Sequence, residues 1–269
     1  MRVWVLGSGS RGNAVLLEHR GSRVLVDAGF HAKALEQRLA AIDVACESIE
    51  ALVVTHEHHD HVRGACAAAR AWGWALHASC GTVDAYPLLR DADVRTFDAG
   101  TTLRFSSMEL QSVSIPHDAA EPVAIIATDD IGGRVGIVYD LGYANAALRR
   151  ALRDLDVLVL EANHDDGMLR AGPYPPTVRD RIAGRRGHLS NTAAADVARD
   201  VAHPSLAHVV LAHLSDQCND ASLARSAVRR SLAPTRFTGA VHAAPQDAVI
   251  GPFEPKVRRG RVEQLRLEL

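Results

Sequence analysis

The 269-residue chain is poor in cysteine, shows no excess of either charge and contains no long apolar run. Its four cysteines, Cys46, Cys66, Cys80 and Cys218, stand far apart without a Cys-x-x-Cys pair. That spacing excludes a zinc ribbon or a disulfide scaffold and fits a reducing compartment. A net charge of −2 excludes a strongly basic nucleic-acid coat and leaves room for a local basic patch. The apolar start, residues 1–7, is too short for a signal peptide, and no segment approaches the ~20 apolar residues of a bilayer span. No membrane role is therefore expected, and the cytoplasm is the expected address. No Pro- or Ser-rich linker, low-complexity tract or solenoid repeat interrupts the chain. Residues 1–269 are expected to form a single domain, for which 47% apolar and 23% charged residues supply a sizeable core.

The apolar pattern that is present predicts strands over 3–6, 14–18, 23–26, 52–55 and 75–77, with a helix over 62–72. Strands follow over 101–105, 108–115, 123–128 and 135–139, then a helix over 144–153. A strand over 157–160, a helix over 192–202, a strand over 208–211 and a helix over 221–232 complete the pattern. Runs of strands in each half, with helices to cover them, suggest an α/β fold layered as an αββα sandwich.

Gly7-Ser8-Gly9-Ser10-Arg11-Gly12 matches G-x-G-x-x-G, and Asp27 lies where a dinucleotide site places its ribose acid. The required helix is missing, because residues 13–18 are β-like and Arg20-Gly21-Ser22 turns the chain. A tight hairpin is the plain reading. The functional one is a loop at the mouth of a site, offering Ser8, Ser10 and Asn13 as hydrogen-bond donors to substrate.

The densest chemical signal is Thr55-His56-Glu57-His58-His59-Asp60-His61, directly after the apolar run 51–54. Histidines this closely spaced around an aspartate, at the end of a buried strand, seldom serve packing. Imidazole and carboxylate together suit Zn²⁺ and its first-row neighbours. In H-x-H-x-D-H, His56 and His58 can bind one ion while Asp60 and His61 turn toward a second. Two ions need more donors than one loop supplies, and His117, Asp140 and His213 each follow an apolar run.

The order H-x-H-x-D-H, then His, Asp and His at successive strand ends, resembles the metallo-β-lactamase superfamily. Gly7-Ser8-Gly9-Ser10-Arg11-Gly12-Asn13, Pro116-His117-Asp118-Ala119-Ala120-Glu121-Pro122 and Glu161-Ala162-Asn163-His164-Asp165 are similar to its YycJ/WalJ-like branch. So are Gly187-His188-Leu189-Ser190-Asn191 and Leu211-Ala212-His213-Leu214-Ser215. Members of that branch are regarded as DNA exonucleases linked to repair. The resemblance implies the four-layer αββα sandwich, with His56, His58 and His117 on one divalent metal, Asp60, His61 and His213 on a second, and Asp140 bridging both. Zn²⁺, Mn²⁺ and Fe²⁺ all suit this set. Tyr139, where Thr or Gly is more usual in related enzymes, is expected to alter packing and not ligation.

His188 and His213 both precede Leu-Ser and compete for the last ligand position. His213 ends a buried strand and is assigned to the metal. His188 stands before Ser190 and Asn191, good caps for the helix over 192–202, whose N-terminus favours a phosphate. A similar non-ligand histidine lies near the scissile phosphate in ribonuclease Z and its relatives, which makes His188 the catalytic candidate. An ordinary loop histidine and a swap with His213 are the alternatives. Arg170, Arg179, Arg181, Arg185 and Arg186 precede His188 against one acid, Asp180. They form either a solvated face or a track for a phosphate backbone, with Arg179, Arg185 and Arg186 as substrate contacts. Tyr174, among Pro173, Pro175 and Pro176, offers a stacking face. Asn163 and His164 are expected to support ligands or touch substrate. His31, His59, His77, His203, His208 and His242 read as structural or exposed.

The expected activity is a dinuclear metal-dependent phosphodiesterase. By resemblance it is a DNA exonuclease of 5′-to-3′ polarity in DNA repair, with DNA favoured over RNA as partner. Two cations ~3.5–4 Å apart acidify a shared water, so a metal-bridging hydroxide held by Asp60 and Asp140 is the expected nucleophile, with His188 as proton donor. The rival enzyme acts on small, cyclic-nucleotide-like phosphodiesters. The rival from another class is a non-catalytic nucleic-acid-binding protein with structural metals. A β-lactamase would need a signal peptide, and His58 replaces the glutamate of the redox-iron pattern H-x-E-x-D-H.

Overall fold

The computed structural model describes residues 1–256; the expected domain span also takes in 257–269, which lie outside the described residues. The strands are β1 (Arg2–Gly7), β2 (Ala14–His19), β3 (Ser22–Val26), β4 (Ala51–Val54), β5 (Ala75–Ser79), β6 (Val94–Phe97) and β7 (Thr102–Arg104). They continue as β8 (Met108–Ser114), β9 (Val123–Asp129), β10 (Arg134–Val138), β11 (Val157–Glu161), β12 (His208–Ala212), β13 (Ala240–Ala243) and β14 (Ile250–Phe253). The helices are α1 (Ala32–Ala40), α2 (His59–Val62), α3 (Ala65–Trp72), α4 (Cys80–Ala85) and α5 (Pro87–Arg90). Then come α6 (Ala146–Ala151), α7 (Asp166–Ala171), α8 (Pro176–Ile182), α9 (Asn191–Asp200) and α10 (Ala221–Leu232). Among the described residues the strands form two seven-stranded sheets, ordered β14-β1-β2-β3-β4-β5-β6 and β13-β12-β11-β10-β9-β8-β7.

Side chains along a strand alternate here by destination and not by polarity. In β1, Val3 and Val5 enter the core between the sheets, beside Val53, Ile125 and Ile137, while Trp4 and Leu6 face outward with Leu35, Leu39 and Ala68 of the covering helices. In the other sheet, Val157 and Val159 of β11 point inward, and Leu158 and Leu160 pack outward with Leu148, Val197 and Val228. Strands apolar on both faces fit a sheet covered on both sides. The layers therefore stack as helices, sheet, sheet, helices, which is the αββα sandwich read from the sequence. Parallel pairing of β3 with β4, and of β10, β11 and β12 with one another, brings their C-terminal ends to common edges. The site is built there.

The helix expected over 62–72 is divided. A Cβ at Gly64 would fall 1.9 Å from the Phe30 carbonyl oxygen, and Gly64 N donates to Ala28 O, so the chain passes too close there for α2 to run on into α3. The helix expected over 144–153 contracts to α6, capped by Asn145, whose side chain accepts from Leu148 N. β14 escapes the strand pattern because it contains Gly251 and Pro252, and a proline is tolerated at an edge position.

Leu160 is fully buried in the outer core of the second sheet. Leu160→Ala is expected to cost about 2–5 kcal/mol in chemical denaturation, and a loss below about 1 kcal/mol would show that this core collapses around the missing atoms.

Candidate metal centre

Strand alternation alone would not assemble this site. Val24 and Val26 face the inter-sheet core, so the next residue, Asp27, would turn to the outer layer. Val138 and Leu211 face the outer layer, so Asp140 and His213, two residues on, would follow them. Each of the three instead takes a left-handed backbone, with φ of 63° at Asp27, 56° at Asp140 and 53° at His213. Such a conformation costs a non-glycine residue about 1–3 kcal/mol, and here it re-aims all three side chains over the end of the sandwich. The loop after β4 lies hard against the loop after β3. A Cβ at Gly29 would fall 1.7 Å from the Asp60 carbonyl oxygen, so glycine is required at this crossing.

Among the overlapping donor groups that result, which include one of Asp140, Glu161, His188 and His213, two match the expected ligand sets. His58 Nδ1 lies 3.1 Å from His117 Nε2, with His56 completing the first group. Asp60 Oδ2 lies 3.4 Å from His61 Nε2 and 3.1 Å from His213 Nε2 in the second. Between them, Asp140 Oδ2 is 2.7 Å from His61 Nε2 and 3.8 Å from His56 Nε2. Nitrogen and oxygen ligands at ~2.0–2.1 Å around a tetrahedral ion are separated by about 3.3 Å, which is close to these spacings. His56 Nε2 and Asp140 Oδ2 are also buried without an aligned hydrogen-bond partner. Leaving such atoms unpaired costs about 1–3 kcal/mol each, and a cation between them would satisfy both. The residues fit a divalent metal in each group.

On His56, His61, His117 and His213 the ring nitrogen turned away from this centre is held. His61 Nδ1 donates to Asp27 Oδ2 at 2.7 Å, His117 Nδ1 to Gly187 O at 3.2 Å and His213 Nδ1 to Glu161 Oε1 at 3.1 Å, while His56 Nδ1 lies 3.1 Å from Thr55 Oγ1. Each Nε2 is thereby fixed facing inward, the arrangement that orients metal-binding histidines. Asp27 also accepts from Thr55 N, Thr55 Oγ1 and Tyr139 OH. Glu161 accepts from Leu141 N, Leu189 N and His188 Nδ1. Neither Asp27 nor Glu161 is among the site residues expected from the sequence. The signal they share with Asp140, a carboxylate directly after an apolar run, could have found both. Tyr139 does more than alter packing, because its hydroxyl joins the hydrogen bonds that hold His61.

Burial alone would lower the pKa of His213, but Asp140, Asp60 and Glu161 more than reverse this and raise it to about 9. His61 and His188, equally opposed by burial, are likewise carried above the usual histidine range by the carboxylates around them. Burial would raise the pKa of Asp60 and Asp140, yet the surrounding histidines hold both well below the usual carboxylate range. Glu161, against the same burial, is brought down to about 2, chiefly by His188. His56 and His117 are pushed down by desolvation. Without metal, protons on His61, His188 and His213 offset the three carboxylates.

The remaining expected residues divide between interior and surface. Ser8 and Asn13 are buried: Ser8 Oγ donates to Asn13 Oδ1 and accepts from His213 N, and Asn13 Nδ2 donates to Asp60 Oδ2 at 3.2 Å. Ser10 is exposed. The Gly7–Gly12 loop is held from behind by Gln246, which donates to Gly12 O and accepts from Arg11 N. Asn163 is buried and donates to His213 O; His164 is buried with no partner for Nδ1. The arginine run disperses. Arg181 pairs with Asp118, Arg186 donates to His117 O, Arg179 donates to Arg170 O, and Arg185 lies over the Tyr143 ring. His188 and His213 both reach the centre, His213 through Nε2 toward Asp60 and His188 through Nδ1 toward Glu161 and Asp140.

Residues 7–95 match the family model described as Metallo-beta-lactamase superfamily. The chain is 33% identical over 238 residues to Exodeoxyribonuclease YycJ of Bacillus anthracis, spanning 87% of this chain and 89% of that one. It is 32% identical over 235 residues to Exodeoxyribonuclease WalJ of Streptococcus pneumoniae, spanning 85% and 87%. In fold it is similar to the protein YhfI from Bacillus subtilis, with a TM-score of 0.71 and 17% identity over 93% of this chain and 99% of that one.

Asp27→Ala frees His61 Nδ1 and leaves two buried hydroxyls without an acceptor. Metal affinity is expected to fall about 10–100-fold in a chelator competition; unchanged affinity would show that His61 is aimed by other contacts. Protonation gives a second test. Metal ligation requires neutral imidazole, so an ion that takes His61 and His213 as ligands at pH 7 would displace their protons. Calorimetry in buffers of different ionisation enthalpy is expected to show proton release, with affinity rising toward pH 9. The sign for the metal-free fold follows too. Since the pKa of His213 is raised from 6.5 to about 9, its stabilising contribution is complete below pH 6.5 and lost as pH climbs through 9.

Proposed function

The chain belongs to the metallo-β-lactamase superfamily, and from that footing we propose that this metal-dependent hydrolase is a DNA exonuclease of 5′-to-3′ polarity serving DNA repair. The observation that carries the reading is the position of His188. Its Nδ1 donates to Glu161 Oε1 at 2.8 Å, and its ring lies 5.3 Å from His117 on one side and 5.3 Å from His213 on the other. A member of each donor group thus flanks it. The ring is 21% exposed, and with Nδ1 held the free nitrogen is Nε2. Two residues on, Ser190 caps α9 by accepting from Ala193 N, so a phosphate beside His188 would also meet a helix N-terminus.

A divalent metal, when bound, supplies the Lewis acidity that polarises a phosphodiester and acidifies water. One ion would be held by His56, His58 and His117 and a second by Asp60, His61 and His213, with Asp140 within reach of both groups. His188 Nε2 then gives its proton to the departing oxygen, while Glu161 keeps the ring oriented and favours its charged form. Asp60 and Asp140 fix the histidines through their contacts and balance their charge. The name exodeoxyribonuclease, borne by relatives covered over 87–89% of their length, supports DNA over RNA. Polarity and the repair role follow the family resemblance. A single catalytic unit over 1–269 and a cytoplasmic address complete the proposal; free Cys46, Cys66, Cys80 and Cys218 are consistent with the latter.

Metal-loaded protein is expected to shorten linear DNA, with a strand blocked at its 5′ end resisting. His188→Ala should retain both metals by elemental analysis and lose ~10²–10⁴ in turnover. If His188→Ala sheds a metal, it is a ligand and the assignment to proton donor falls. If hydrolysis is confined to small cyclic phosphodiesters across several divalent metals, the nuclease reading falls and the small-molecule one replaces it.

A further inference from the structure

Beside the donor groups the surface opens into a cavity of about 430 Å³, lined by Pro116, His117, Pro122, Tyr143, Arg185 and Arg186 among others. Tyr143 is 39% exposed, a large aromatic left partly in solvent. The Arg185 guanidinium lies over its ring, 4.6 Å from the centroid, and has no carboxylate partner among the described residues. This pair rests on a rigid base. A Cβ at Gly142 would fall 2.3 Å from the Arg185 carbonyl oxygen, so the two backbones touch, and Gly142 N donates to Pro116 O at 3.0 Å. The neighbouring residues fasten the same loop to the first donor group, since Arg186 Nε donates to His117 O at 2.9 Å and Gly187 O accepts from His117 Nδ1.

An exposed aromatic face, a cation stacked on it and proline walls, all fixed to His117 of the first donor group, suit one kind of ligand. It is flat, carries π-electrons and is attached to a phosphate. We propose that this cavity holds the nucleobase next to the scissile phosphodiester, stacked on the Tyr143 ring with Arg185 adding its cation to the stack. Stacking of this kind is tolerant of base identity, because every base presents a π-face. The proposal rests on the nuclease reading and gives it a base-holding subsite. Tyr143, outside the arginine run and outside H-x-H-x-D-H, is the residue that sets the preference for a substrate with its base in place.

The test compares single-stranded DNA with intact terminal nucleotides against the same strand with abasic ends. Wild-type protein should favour the intact end in kcat/KM by about tenfold or more. Tyr143→Ala should bring the two substrates to parity, Tyr143→Phe should keep the preference, and Arg185→Ala should weaken it. In a second measurement a terminal 2-aminopurine should be quenched on binding to wild type and Tyr143→Phe and stay bright with Tyr143→Ala. A full preference and full quenching in Tyr143→Ala would overturn the assignment. So would wild-type protein that degrades both strands equally, and in that case the nuclease reading survives. Wild-type protein that degrades neither strand removes the nuclease reading and the subsite with it.

Discussion

Taking a carboxylate fully out of water costs several kcal/mol unless its lone pairs are all engaged, and Asp27 is fully buried. Four donors reach it at 2.7–2.8 Å: Thr55 N, Thr55 Oγ1, His61 Nδ1 and Tyr139 OH. They come from three places. Thr55 directly follows β4 of the first sheet, Tyr139 directly follows β10 of the second, and His61 stands in the loop of histidines. One side chain therefore joins the ends of both sheets to the centre and decides which nitrogen of His61 faces inward. Remove its donors and the charge is stranded; remove the charge and two hydroxyls and an imidazole lose their acceptor. The left-handed turn at Asp27 is what puts the carboxylate at this crossing.

Charge at the centre follows the same logic. Asp60, Asp140 and Glu161 are packed so closely that some cation must sit among them, and His61, His188 and His213 take protons to provide it. Protons and divalent ions are then competitors for the same space. Glu161 serves two histidines at once, His188 at 2.8 Å and His213 at 3.1 Å. His188 and His213 are in this way oriented by a single carboxylate, although they lie 25 residues apart in the chain.

Much of this was legible in the sequence, for a physical reason. Apolar runs long enough to be buried on both faces announce the sandwich, and polar residues that interrupt them at their ends announce the site. H-x-H-x-D-H, His117, Asp140 and His213 all follow that rule, and the structure brings them together. Asp27 obeys it too, but its distance from Gly7-Ser8-Gly9-Ser10-Arg11-Gly12 invited comparison with a nucleotide site that lacks its helix. Backbone conformation was beyond reach: nothing in the letters says that Asp27, Asp140 and His213 would turn left-handed. Nor could spacing foretell how the arginines scatter, since Arg185 and Arg186 are neighbours in sequence yet one stacks on Tyr143 and the other binds the backbone of His117.

The strand that closes the first sheet comes from the far end of the described chain. β1 is flanked by β2 and β14, and between them lies almost the entire sequence. During synthesis at ~5–20 residues per second, one edge of β1 must wait roughly 10–50 seconds for its partner. An unpaired edge is a template for pairing with other chains, so this interval is when the nascent protein most needs shielding. The same delay governs the centre. Gln246, just ahead of β14, holds the loop over residues 7–13, whose Ser8 and Asn13 support His213 and Asp60. The loop of histidines emerges early, by residue 61, yet the loop behind His213 and Asp60 is fastened only when Gln246 arrives.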